Sequence, residues 1–129
     1  MSQLTKVCAG KKFSVWMTPK VLKAFKKLNS DARARLRKWM EFYADDGQEF
    51  LDSTKFIHEG RFKTGAPDGG DVPIYAFKAW QVRLYGTIVD GTHFVITEID
   101  PAKKQNKANK TKLESAATNI AAVKDGWSK

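Results

Sequence analysis

The sequence predicts an α+β domain, with an N-terminal strand and a helical hairpin packed on a mainly antiparallel sheet and a C-terminal helix behind it. Three observations carry this. Between Pro19 and Asp46 apolar residues recur at helical spacing in two blocks. From Ile74 to Ile99 strand-length runs of β-branched and aromatic residues surround an Asp90-Gly91 turn. From Leu113 to Ala121 a narrow apolar stripe returns at helical spacing.

The elements follow in order. Phe13–Thr18 is a β-branched and aromatic run of strand length. Thr18-Pro19 then reads as a helix N-cap followed by proline at the first helical position. Val21, Leu22, Phe25 and Leu28 form one face, and Lys20, Lys23, Lys26 and Lys27 the other. Ser30 is the expected cap of a second helix, whose stripe is Ala32, Leu36, Trp39, Met40 and Tyr43. Asp45-Asp46-Gly47 stops it. The segment 48–57 has apolar anchors without a period and reads as a short helix or irregular chain. His58–Pro73 is rich in glycine and reads mostly as loop.

Residues 74–79 and 81–89 read as strands, and Asp90-Gly91 as a two-residue type I′ hairpin turn. That turn sets Tyr85 opposite Ile96 and Arg83 opposite Glu98, an expected cross-strand ion pair. Both faces of the hairpin carry large apolar groups, so it belongs in the middle of the sheet with material on both sides. Asp100-Pro101 ends the ladder. A basic stretch follows, and Thr111 to Glu114 matches a capping box, with Asn106 as an earlier alternative cap. The last helix is expected to end near Lys124.

The 129 residues make one domain, 1–129, with 1–12 and 125–129 as flexible ends. No apolar run is long enough for a membrane span, and the first residues lack a signal-peptide block, so a cytoplasmic protein without a membrane partner is expected. Cys8 is the single cysteine, which excludes an internal disulfide and a cysteine-based metal site. Two histidines without ligand spacing point to no metal and no cofactor. No phosphate-binding glycine loop or nucleophile elbow is present. The net charge of +9 at pH 7 points to an anionic partner, nucleic acid first. The sheet is then expected to present cations to a phosphate backbone.

Three segments in order resemble the RelE/ParE superfamily of bacterial type II toxin–antitoxin toxins, and within it the phage-like HigB branch. They are His58-Glu59-Gly60-Arg61-Phe62-Lys63, the run from Ala76 through Arg83 to Tyr85, and Pro101-Ala102-Lys103-Lys104-Gln105 followed by Leu113-Glu114-Ser115-Ala116-Ala117. The resemblance covers residues 13–120 and implies a small RelE-like fold. It also implies metal-independent cleavage of messenger RNA on the ribosome, held in check by a cognate antitoxin. In that chemistry the ribose 2′-hydroxyl attacks the adjacent phosphate and the 5′-oxygen leaves, which needs fixed positive charge and a proton acceptor and donor. On this resemblance Arg61, Lys63 and Arg83 bind phosphate and stabilise the transition state, while Lys103 and Lys104 position RNA. His58 is the expected base by residue type, ahead of His93 and Glu98. Members that use a C-terminal His or Tyr are not matched, because the end of this chain offers Trp127 instead. The alternatives are a ParE-like inhibitor of DNA gyrase acting through the helical hairpin, and a non-catalytic nucleic-acid-binding module using Phe62, Phe77, Trp80 and Tyr85 as stacking platforms.

Overall fold

The computed structural model describes residues 3–101 and 109–127. Six strands form one mixed sheet: β1 (Thr5–Ala9), β2 (Ser14–Met17), β3 (Phe56–Lys63), β4 (Asp71–Ala79), β5 (Val82–Val89) and β6 (His93–Asp100). Their order across the sheet is β1-β2-β6-β5-β4-β3. Every neighbouring pair is antiparallel except β2 and β6, which run parallel. The helices are α1 (Pro19–Lys26), α2 (Ser30–Asp46) and α3 (Lys110–Trp127). Among the described residues no helix is long and apolar enough to cross a membrane.

The β5–β6 hairpin lies at the centre, as its two-sided apolar pattern requires. On one face α1 and α2 supply Val21, Phe25, Leu36, Met40 and Tyr43 against Phe56, Phe77, Leu84, Phe94 and Ile96. The Tyr43 ring sits 5.2 Å from Phe56, 5.5 Å from Phe77 and 5.2 Å from Phe94, so one aromatic knot ties α2 to three strands. On the other face Leu113, Ala116, Ala117 and Ile120 of α3 cover Val72, Ile74, Ala76, Tyr85 and Val95. The small alanines let α3 lie close to the sheet.

Capping follows the sequence with small shifts. Thr18 Oγ1 accepts from the Val21 N–H at 3.4 Å, with Pro19 at the first helical position. Asn29, rather than Ser30, caps α2: its Oδ1 accepts from the Ala32 N–H at 2.8 Å. Asn109 does the same for α3 through the Lys112 N–H at 3.2 Å, two residues ahead of the expected Thr111 box.

Residues 5–9 pair with β2 as an edge strand, and α3 continues through Asp125 and Gly126 to Trp127. The Trp127 ring packs 4.7 Å from His93 and donates from Nε1 to Asp90 at 3.2 Å, which holds this last turn. The glycine-rich stretch is more ordered than expected. Its first part is β3, and β4 begins at Asp71. Residues 47–50 form a 3-10 turn.

The largest correction concerns register. The Asp90 turn has three residues, with Val89 opposite His93, and a bulge follows in β6. Gly86 pairs with Ile96 and Tyr85 with Glu98, leaving Thr97 as the extra residue. Arg83 therefore faces Asp100, not Glu98. A bulge shifts the alternation by one residue, so every side chain beyond it changes face. Ile96 stays in the α1/α2 core, while Glu98 and Asp100 turn to the face of α3. Thr97 anchors the bulge by donating from Oγ1 to the Ala116 carbonyl at 2.9 Å.

Candidate functional site

Two bulges gather a buried polar cluster beneath the start of α3. The first, in β3 between His58 and Gly60, takes Glu59 out of the ladder. Gly60 has φ 128, a conformation open to glycine. Glu59 thereby reaches across β4 to Arg83, where Oε2 accepts from Nη1 at 2.5 Å. Both side chains are less than a tenth exposed. Arg83 is opposite Asp100, itself buried, and shares the face of Tyr85. The second bulge brings Glu98 into line beside them.

Glu98 is held by three elements. Oε2 accepts from Lys20 Nζ of α1 at 3.1 Å and from Ser115 Oγ of α3 at 2.8 Å, while Oε1 accepts from the Ile99 N–H at 3.1 Å. Lys112 Nζ lies 3.8 Å from Oε1. Desolvation pushes the Glu98 carboxyl up, but the Ser115 hydroxyl, the Ile99 amide and Lys20 outweigh it and hold the group below its ordinary value. Glu98 is a charged strut rather than a base.

Tyr85 behaves in the opposite way. Its hydroxyl is buried without a hydrogen-bond partner among the described residues, and the Asn109 backbone amide favours its ionised form. Burial, followed by the Glu59 charge, pushes its pKa up to about 12 against the pull of Arg83. It is a neutral donor whose hydrogen is uncommitted within the described residues.

The expected cationic cluster does not assemble as the sequence suggested. Arg61 lies opposite Pro73 and Arg83 opposite Lys78, five residues apart along β4. At the strand rise that is about 17 Å, and the odd offset puts the two on opposite faces. Arg61 is exposed and pairs with Asp71 at 2.7 Å, and Lys63 is exposed at the same far end. His58 is exposed opposite Tyr75, 4.9 Å from its ring, also on the face away from Arg83. His93 Nδ1 shares a hydrogen bond with Ser14 Oγ at 2.6 Å and its ring packs tilted against Trp127, a structural role at the turn end. Lys103 and Lys104 lie outside the described residues.

The cluster itself is electrically balanced: Lys20, Arg83 and Lys112 stand against Glu59, Glu98 and Asp100. It cannot attract phosphate by net charge. It can hold a guanidinium rigidly and offer a neutral hydroxyl beside two carboxylates, the inventory of proton transfer and charge stabilisation. Glu59, Tyr85, Asp100 and Ser115 have no catalytic role in the sequence reading because their convergence depends on the bulges. The Glu59-Gly60 pair inside a strand was the available signal. Among the described residues no group of three or more His, Cys, Asp or Glu side chains is placed to hold a metal ion.

No protein family, curated protein or solved structure matches this chain.

Proposed function

We propose that this chain is the toxin of a type II toxin–antitoxin pair, a cytoplasmic, metal-independent endonuclease that cuts messenger RNA on the ribosome until its antitoxin binds. The observation that carries the reading is Arg83. Among the described residues it is the one lysine or arginine that is buried, and it sits on a central strand between two carboxylates and the Tyr85 hydroxyl. The order of strand, helix pair, antiparallel strands and helix, with β2 parallel to β6, is compatible with a RelE-like fold of the phage HigB kind.

In this reading the scissile phosphate replaces Glu59 as the partner of Arg83, which then stabilises charge on the phosphorane-like transition state. Released from Arg83, Glu59 is placed to accept the 2′-hydroxyl proton, and Tyr85 to donate to the leaving 5′-oxygen. Lys103 and Lys104 follow β6 in sequence and add the positive charge that the balanced cluster lacks. Arg61 and Lys63 are too far along the sheet to touch the same phosphate, and His58 lies on the opposite face. They are left to contact flanking RNA or the ribosome.

The test is controlled expression with mapping of new 5′ ends in messenger RNA. The wild type should produce cuts. Arg83→Ala and Lys103→Ala/Lys104→Ala should lose them by on the order of 10²-fold or more. Growth arrest with intact messages and broken DNA would replace this reading with gyrase inhibition. The absence of any growth effect would remove both.

A further inference from the structure

The two-residue turn between β4 and β5 carries an anomaly. Trp80 sits there at φ 53, in the left-handed region that disfavours side chains with a Cβ, and is 62% exposed. A large aromatic in a strained and solvated turn contributes little to the core, and such outliers concentrate at functional positions. Glycine would fit this turn with less strain.

The surroundings of Trp80 are cationic. The Arg35 guanidinium of α2 lies 4.4 Å from the ring centroid. A cleft between α2 and the strand ends is made of two pockets that share Arg35 and Trp39, one lined also by Asp31 and Lys38 and the other by Lys55, Lys78 and Trp80. Lys38 and Lys55 approach the Trp39 ring at 5.9 and 5.1 Å. Asp52 is committed to Lys55 at 2.8 Å. Lys78 donates to the Ser53 carbonyl at 2.9 Å, which fixes the wall of the cleft beneath the turn. Aromatic faces between cations are what a single-stranded nucleic acid recognises, bases by stacking and phosphates by charge.

We propose that this cleft is a single-stranded RNA subsite in which a base stacks on Trp80 and the adjoining phosphates lie along Arg35, Lys38 and Lys55. The proposal rests on the RNA reading above and extends it. Lys78 and Arg83 are cross-strand neighbours, so the cleft opens at the same sheet end as the buried arginine. RNA held by Trp80 would lead around the turn toward Arg83.

Binding is measured separately from cutting by using the full chain and a fluorescein-labelled, 2′-O-methylated single-stranded RNA about a dozen nucleotides long, a length typical of such sites. The methyl groups block attack by the 2′-oxygen, so loss of cleavage elsewhere does not affect the readout. Trp80→Gly should weaken binding roughly ten-fold or more. Its thermal midpoint should stay level or rise, because glycine relieves the turn. Trp80→Phe should retain most of the affinity, and Arg35→Gln should lose affinity with the fold intact. Lys38→Ala should lower the salt dependence by roughly 0.7 in log–log slope, the value for one phosphate contact on a single strand. Wild-type affinity in both Trp80→Gly and Arg35→Gln would overturn the proposal. So would wild-type protein that ignores the RNA and binds a polyglutamate peptide, which would make an acidic protein segment the occupant.

Discussion

Arg83 and Glu59 meet at 2.5 Å across an intervening strand, each less than a tenth exposed. The pair joins β3, at the sheet edge, to β5, at its centre. Such a pair adds little net stability relative to apolar residues, but removing one member strands the other charge in the interior. Glu59→Gln and Arg83→Met should each destabilise the fold by about 3–5 kcal/mol in urea melts. The double variant should be less destabilised than the sum of the two. Strict additivity would show that the two charges are not coupled.

Glu98 makes the fold sensitive to acid. Its folded pKa lies below the ordinary 4.5 because Ser115, the Ile99 amide and Lys20 outweigh desolvation. A depressed carboxylate contributes stability above its unfolded pKa, and that contribution is lost as pH falls through the folded value. Unfolding free energy should therefore drop as pH falls below about 4.5. Glu98→Gln should flatten that limb and cost about 1–3 kcal/mol at neutral pH, where hydrogen bonds to a charged acceptor are lost. An unchanged acid limb in the variant would assign the acid sensitivity to other carboxylates.

Gly86 marks the bulge at which β5 and β6 change phase. A Cβ there would meet the Val95 carbonyl oxygen at 2.2 Å and Ile96 Cα at 2.9 Å, both backbone atoms in the middle of the sheet. Neither can move without breaking the ladder. Gly86→Ala should cost on the order of 3 kcal/mol or more, the upper range of overpacking, and should appear as a large drop in thermal midpoint. Gly91, with φ 82 and open space around its Cβ position, offers a contrast: alanine there should cost only about 1 kcal/mol.

These contrasts explain what the sequence made legible. The helices and their buried faces could be read because Ala32, Leu36, Met40 and Tyr43, and later Leu113, Ala116 and Ile120, repeat at a spacing only a helix satisfies. The central place of the hairpin followed from apolar residues on both of its faces. Register did not follow, because the turn holds one residue more than Asp90-Gly91 suggested and Thr97 adds another. Each added residue is invisible to periodicity, and together they exchange Glu98 for Asp100 opposite Arg83. The Glu59 bulge is hidden in the same way. The site is therefore legible as residue types, Arg83 above all, but not as a constellation.

Tyr85 gives a test with two readouts that separate structure from chemistry. Its hydroxyl is buried and lacks a hydrogen-bond partner among the described residues, so Tyr85→Phe removes a desolvated group rather than a bond. Stability at neutral pH should stay within about 1 kcal/mol of wild type, and an increase is as consistent as no change. The raised pKa of about 12 carries a sign as well. A tyrosine whose folded pKa exceeds its unfolded value of 10.0 contributes its full stability below that value and loses it as pH rises toward about 12. The variant should therefore lose less stability than wild type over that alkaline window, with Tyr43 and Cys8, also pushed up by burial, contributing to the loss that remains. If Tyr85 also donates to the leaving oxygen, messenger RNA cleavage should fall by on the order of 10²–10⁴ while the neutral melt is unmoved. A variant that cuts at the wild-type rate would remove Tyr85 from the chemistry and leave Arg83 without a donor beside it.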